Sequence, residues 1–427
     1  MRSDTPAEDS LAATATRAAR HFVYRLMACI LVTAACAAAV NLLVDPHGLY
    51  RWLDVAGFNE IKPRATQAIE LFKFRAIDFI RPRTLYVGNS RAEMGWDPEA
   101  LGATYSPGVN LSAPGRALGD LDQLIDYAWN QSQPRTLFVG IDFLDCLAAG
   151  NRVEYIYPPA PWAAGARSLR GVADRAYLVL SDLLSLDTTI DSIETVIGQW
   201  RADSPHLRRD GFRPARDYKY IVATDGARKM FLQREQETIR RRLAGSKSIR
   251  HDDGKLDACF DDLERLLRNG ALRQQTVYVG TYPYHARLLE IIGQIGLWPA
   301  YEDWKLEMLR VVTTARAQGG QVSLRDFGAY DAFSVEPIPM AGRREPVPRW
   351  YWESGHFKAE LGARMLRIMA GLDPADGLFG IELTPETVEA TLAANRESRR
   401  AFADAQPGEV AEIGEMIVRA RSSKVSR

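Results

Sequence analysis

A serine stands in the tetrapeptide Gly88-Asn89-Ser90-Arg91, directly after the apolar run Thr84-Leu85-Tyr86-Val87. In an open α/β sheet, ligands bind at the C-terminal ends of the strands. A hydroxyl at that place is exposed above the sheet, and the backbone N–H groups that follow it can stabilise an oxyanion. The plainer role open to Ser90 is to cap the helix that follows. A second element lies far along the chain, in Trp350-Tyr351-Trp352-Glu353-Ser354-Gly355-His356-Phe357. A carboxylate three residues before a histidine can orient the imidazole through one ring nitrogen, leaving the other to take a proton from a serine. Ser90, His356 and Glu353 are therefore a candidate nucleophile, base and orienting acid. Gly115, in the turn Ser112-Ala113-Pro114-Gly115, is a third element, because a glycine N–H can approach a developing oxyanion. A glycine in such a turn also serves the backbone alone.

The elements that must position these groups are legible as alternating apolar runs and helical stretches, the pattern of a mainly parallel sheet covered by helices. Strands are expected at Thr84–Val87, Val109–Leu111, Thr136–Ile141 and Thr276–Val279, with a fifth beginning at Gln321–Leu324. Helical periodicity covers Arg116–Trp129, Tyr301–Gln318 and Glu360–Ala370. Asp142 ends the third strand, where an aspartate either faces the cleft or caps a turn. Roughly 135 residues separate the third and fourth strands, far more than one crossover needs. Helices expected at Asp174–Trp200, Ala227–Leu243 and Lys255–Arg268 make this an insertion, at about 146–272, capping the C-terminal edge of the sheet. Residues 373–427 are expected as a charged helical extension, helical from Pro385 on without a strand, that packs outside or engages a partner. No internal repeat is visible.

Leu26–Val44 reads LMACILVTAACAAAVNLLV, with Thr33 and Asn41 its only polar residues. As a helix it rises about 28 Å, close to the thickness of a bilayer's hydrocarbon core. Arg17, Arg20 and Arg25 precede it, so residues 1–25 are expected in the cytoplasm and everything after residue 45 outside it. A signal peptide cleaved near Ala37-Ala38-Ala39 is the rival reading, and a lipoprotein site at Cys36 fits poorly. With an uncleaved single-pass anchor in the inner membrane, Cys29 and Cys36 lie in lipid. Cys146 and Cys259 then face an oxidising space and can pair, although two unpaired buried thiols are the expectation.

Composition narrows the classes further. Lysine plus arginine equals aspartate plus glutamate at 54 each, so the chain lacks the basic excess of a nucleic-acid binder. Four cysteines in 427 residues are no disulfide framework, and six scattered histidines without a CxxC give no zinc spacing. No metal and no cofactor is expected.

With Ser90 after the first strand, Gly115 after the second and a carboxylate-x-x-His loop near the end of the domain, the chain resembles the SGNH/GDSL hydrolases. It is most similar to their membrane-anchored bacterial relatives of envelope and exopolysaccharide modification. VDPHGLY, VGNSRAEMGWDP, VNLSAPG and WESGHFKAELG carry the resemblance, which covers residues 45–372 outside the insertion. It implies a flavodoxin-like three-layer α/β/α sandwich. It also implies ester hydrolysis or acyl transfer, typically of acetyl groups on an acylated carbohydrate or from an acyl donor. On that pattern Ser90 is the nucleophile, His356 the base, Glu353 the stand-in for the usual aspartate, and Gly115 an oxyanion donor. The third block departs: where Gly-x-Asn-Asp is the family pattern, Gly280-Thr281-Tyr282-Pro283-Tyr284-His285 stands. Asn110, Tyr282, Tyr284 or His285 would have to replace the absent asparagine. His285, Tyr284 and Trp352 are the substrate-binding candidates, the last by stacking on a sugar ring. The alternative function is a catalytically silent scaffold or glycan-binding protein assembled with envelope partners.

Overall fold

The computed structural model describes residues 6–148 and 169–425. Residues 1–5 of the expected cytoplasmic tail and 149–168 of the expected insertion lie outside the described residues. The chain opens with one long helix, α1 (Pro6–Val44). Helix α2 (Ile69–Ile80) leads into β1 (Thr84–Val87), and α3 (Ser90–Gly95) follows it. β2 (Gly108–Asn110), α4 (Asp122–Ser132) and β3 (Thr136–Ile141) come next. The insertion holds α5 (Leu169–Leu183), α6 (Leu186–Gly198), α7 (Arg216–Asp225) and α8 (Ala227–Ala244). Helix α9 (Ala258–Leu272) returns the chain to β4 (Thr276–Thr281). Then come α10 (Ala286–Gln294), α11 (Trp298–Ala317) and β5 (Gln321–Asp326). A small hairpin of β6 (Tyr351–Glu353) and β7 (His356–Phe357) precedes α12 (Ala359–Met369), β8 (Ile381–Glu382), α13 (Val388–Ala405) and α14 (Pro407–Val425).

The main sheet has six strands in the order β2-β1-β3-β4-β5-β8, parallel except for the edge strand β8. β1 reads Thr-Leu-Tyr-Val with every residue buried, the unalternating pattern of a strand covered on both faces. β4 shows how the covering is divided. Gly270 of α9 sits against Val277, and Gly280 against Met369 of α12. Residues 277 and 280 point to opposite faces of the strand, so α9 and α12 cover opposite sides of the sheet. The five expected strands are present, β1 and β3 with the expected bounds and the others shifted or extended by one or two residues.

Four expectations change. The helix expected at Asp174–Trp200 is two helices, broken where the Ser185 hydroxyl caps α6 by accepting from the Thr188 N–H at 3.3 Å. The insertion is not one cap. α5 and α6 pack on α1, α7 and α8 overhang the sheet's C-terminal edge, and α9 belongs to the core against α11 and β4. The segment after residue 373 is not all helix, because Ile381 and Glu382 pair antiparallel with Asp326 and Arg325 of β5. Cys146 and Cys259, expected as free thiols, form a disulfide that closes a 113-residue loop at the neck of the insertion. Cys29 and Cys36 are free and exposed on α1. From Thr14 to Val44 this helix is long and apolar enough to cross a membrane.

Candidate active site

The turn after β1 is built around a glycine that nothing else can replace. A Cβ on Gly88 would lie 2.1 Å from the Tyr282 hydroxyl. That hydroxyl, arriving from the end of β4, accepts the Asn89 N–H at 3.2 Å. Asn89 takes the capping role that Ser90 was open to: its side-chain oxygen accepts the Arg91 N–H at 3.0 Å. Its amide group donates to Asp142 at 2.9 Å and Asp145 at 2.8 Å, in the loop after β3. Ser90 is thereby left with an uncommitted hydroxyl on the first turn of α3, partly exposed.

The partner of that hydroxyl comes from the β6–β7 hairpin. His356 Nε2 lies 2.8 Å from Ser90 Oγ, a distance at which the serine donates to the ring. His356 Nδ1 is held by the Glu353 carboxylate across the hairpin turn. The second carboxylate oxygen accepts the Gly355 N–H at 2.9 Å. Burial alone would raise the Glu353 pKa. The charge and hydrogen bond of His356, the Gly355 N–H and the charge of Arg91 outweigh it and hold the carboxyl down at about 2. Glu353 is therefore ionised at neutral pH, as an acid that orients and stabilises an imidazolium must be.

Arg91, which carried no signal in the sequence, joins the two halves. Its Nε donates to the Gly355 carbonyl at 2.7 Å, its NH1 pairs with Asp142, and its guanidinium lies 5.3 Å from the centre of the Tyr284 ring. Asp142 both caps and faces the cleft: it accepts the Leu144 N–H at 3.0 Å, the Asn89 amide, Arg91 and the Tyr284 hydroxyl. One buried carboxylate thus ties the Ser90 turn to β3 and β4.

Ser90, His356, Glu353 and Gly115 line one cleft of about 480 Å³. Gly115 takes φ +69°, with open space where a side chain would stand. The roof is supplied by the insertion, through Arg213, Tyr218, Arg234, Arg241 and Arg242 of the α7–α8 region. The Tyr218 ring stands 6.0 Å from the His356 ring.

The other sequence candidates are elsewhere. Asn110 is fully buried, its amide donating to the Ala92 and Trp96 carbonyls at 2.8 and 2.9 Å and its oxygen accepting from the Ser112 N–H. It fastens the end of α3 to β2, with no donor left for an oxyanion. His285 is buried beneath the hairpin, its Nε2 donating to the Glu336 carbonyl at 2.8 Å and its Nδ1 accepting the Arg287 N–H as the cap of α10. Burial pushes its pKa down to about 3, so it stays neutral. Tyr284 lies under the Ser90 turn and not in the cleft. Trp352 is buried against Tyr218, with the Lys358 ammonium 4.6 Å from the centre of its ring. Asn110, Tyr284 and His285 were candidates to replace the third-block asparagine and Trp352 a candidate from its place beside His356; each turns inward because its polar atoms or ring find partners in the core. No group of three or more histidine, cysteine or carboxylate side chains that could hold a metal ion occurs among the described residues.

Comparison of the chain with protein-family models, with curated proteins and with solved structures finds no match in any of the three. What the site can do is read from its geometry: a serine hydroxyl bonded to an imidazole, an ionised carboxylate that holds the ring, and a small open turn lining the same cleft.

Proposed function

We propose that this chain is a membrane-anchored serine esterase or O-acyltransferase of SGNH type, acting outside the cytoplasm on acyl groups carried by a polysaccharide. The hydrogen-bonded series Ser90–His356–Glu353 at the C-terminal ends of the strands carries the reading. The order β2-β1-β3-β4-β5 of the parallel strands, which is that of a flavodoxin-like sandwich, supports it. So do the arginines before α1 and the Cys146–Cys259 disulfide, which suits an oxidising compartment. In this mechanism Ser90 Oγ attacks the ester carbonyl while His356 Nε2 takes its proton. The carbonyl oxygen becomes an oxyanion beside the Ser90 and Gly115 N–H groups. Collapse expels the alcohol, which receives the proton from His356, and leaves an acyl group on Ser90. Water or a sugar hydroxyl, deprotonated by His356, then releases it as acid or as a new ester.

One observation favours the second reading, a silent scaffold that binds glycan. None of the four residues considered as replacements for the third-block asparagine lines the cleft, since Tyr282, Tyr284, His285 and Asn110 are all committed to the core. Loss of one such donor costs on the order of 3 kcal/mol of transition-state stabilisation. A fluorophosphonate probe separates the two: wild type is labelled and Ser90→Ala is not if the serine is activated. A wild-type protein that stays unlabelled while binding acetylated glycan makes it the scaffold.

A further inference from the structure

The first half of the insertion is built inside out. On α6 the buried residues include Thr188, Ser192, Thr195 and Gly198, small or polar, whereas Leu186, Ile190, Ile193 and Ile197 point outward. Ile193 is 57% exposed, and Trp200, just past the helix end on the same side, is 73% exposed. At 100° per residue these five outward positions fall within an arc of about 80°. A helix facing water carries its apolar stripe inward. On α5, Tyr177, Leu180 and the adjoining Leu184 are likewise exposed.

The polar inward face has a specific partner. Asn41, the polar residue near the end of the α1 span, donates to the Leu183 carbonyl at 2.9 Å and to Thr189 Oγ1 at 3.0 Å, and accepts from the Ser192 hydroxyl at 3.0 Å. An asparagine in lipid without partners is costly. Its partners here are the α5–α6 turn and α6. Asn41 lies three residues before the end of α1, about 5 Å along the axis. The hairpin therefore meets α1 within the apolar stretch and not beyond it. A third piece, the loop with Trp52 and Leu53 exposed, is tied to both: Asn59 donates to the Leu43 and Leu53 carbonyls, and Gln199 at the end of α6 exchanges two hydrogen bonds with Ile61.

We propose that α5, α6 and the Trp52 loop form a collar embedded in the lipid leaflet into which the C-terminal end of α1 emerges. With 15 and 13 residues, α5 and α6 measure about 22 and 20 Å, too short to cross a hydrocarbon core of about 30 Å. They lie in the interface with their isoleucine and leucine face among the acyl chains, and Trp52 and Trp200 at headgroup level. The occupant is lipid because the apolar face is continuous with a helix already read as crossing the membrane. The inference rests on that reading of α1.

The test uses the full chain in nanodiscs of phosphatidylethanolamine and phosphatidylglycerol, with Cys29 and Cys36 replaced by serine. An environment-sensitive fluorophore is attached at Ile193→Cys, Leu186→Cys, Val32→Cys in α1, or Leu272→Cys, a solvent-exposed leucine of α9. Doxyl-labelled lipid should quench the 193 and 186 labels by roughly two-fold or more, as it does the 32 label, while aqueous iodide quenches only the 272 label. If the 32 label is quenched by doxyl lipid and the 193 and 186 labels respond to iodide alone, the collar is overturned and the anchor stands. If the 32 label also escapes doxyl lipid, the anchor itself fails. Labels at 193 and 186 that iodide reaches in nanodiscs, but not in native membranes, make the occupant a protein partner and overturn the lipid assignment.

Discussion

The floor of the cleft and the collar around α1 both bury hydrogen-bonding side chains, to different ends. In the floor, Asn89 and Arg91 bond to Asp142, and Glu353 bonds to His356, so that a hydroxyl and an imidazole meet at 2.8 Å. In the collar, Asn41, Thr189 and Ser192 bond so that an apolar face can be turned outward. The same chemistry, hydrogen bonds satisfied away from water, orients a reactive group in one place and frees a greasy surface in the other. The Cys146–Cys259 disulfide closes the neck of the insertion that carries α5 and α6 of the collar and the α7–α8 roof of the cleft.

Breaking the floor has the largest effect. Ser90→Ala and His356→Ala should each lower kcat on an acetyl ester by about 10⁴-fold or more, with the double variant no worse, because a triad acts as one unit. Glu353→Gln keeps the shape and loses the ionised partner of the imidazolium, so it should be milder. Steady-state rates check all four. The collar is untouched by these changes, and membrane association should remain that of wild type.

The neck comes next. Cys146→Ser with Cys259→Ser releases a 113-residue loop and should cost about 2–5 kcal/mol, read by denaturant unfolding of the detergent-solubilised protein. An unchanged midpoint would mean that the insertion is held by its packing alone.

A smaller effect distinguishes a structural asparagine from a catalytic one. Asn110→Ala removes the side-chain donor to the Trp96 carbonyl and one of the two donors to the Ala92 carbonyl, and should cost roughly 1–3 kcal/mol of stability. The kcat of the folded fraction should be unchanged. A kcat lowered a hundredfold at full stability would return Asn110 to the oxyanion role.

The residues that were legible in the sequence share one property: their meaning is local. Glu353 and His356 are three apart on one hairpin, and Ser90 follows directly on its strand. Asn110, His285, Tyr284 and Trp352 were near the right elements, but which way each side chain turns depends on partners far away in the chain, such as Glu336 for His285 and Asp142 for Tyr284. Arg91 and Asp142 are 51 residues apart and the two bonded cysteines 113, separations at which no spacing rule operates. The collar was hidden for another reason. Helical periodicity reveals that α6 has two faces, but not which of them packs on the rest of the chain, and the exposure of Ile193 beside the burial of Ser192 shows that it is the polar one.

The smallest effect is a pH dependence confined to the collar. His47, just beyond α1, lies between Asp182 of α5 at 3.0 Å and Asp191 of α6 at 3.2 Å. Burial would lower its pKa, but the hydrogen bonds and charges of the two aspartates win and hold it above the ordinary value. Arg64, 3.3 Å from Asp191, and the Tyr50 and Thr188 hydroxyls, both donating to Asp182, also bond the two carboxylates. A histidine whose folded pKa is raised contributes stability that is fully present below its unfolded pKa of about 6.5 and is lost as pH rises through the folded value. The nearby His206, held down to about 4 by burial, takes up a proton on unfolding near pH 6.5 and so has a slope of its own, but that slope is the same in wild type and in His47→Gln and cancels in their difference. The difference in unfolding free energy between wild type and His47→Gln should therefore be largest below pH 6.5 and shrink as the pH is raised. Ester turnover, which depends on the floor, should show no corresponding difference between the two proteins. A stability difference that stays constant with pH would mean that His47 bridges the aspartates as a neutral ring, and a matching difference in turnover would mean that collar and floor are coupled.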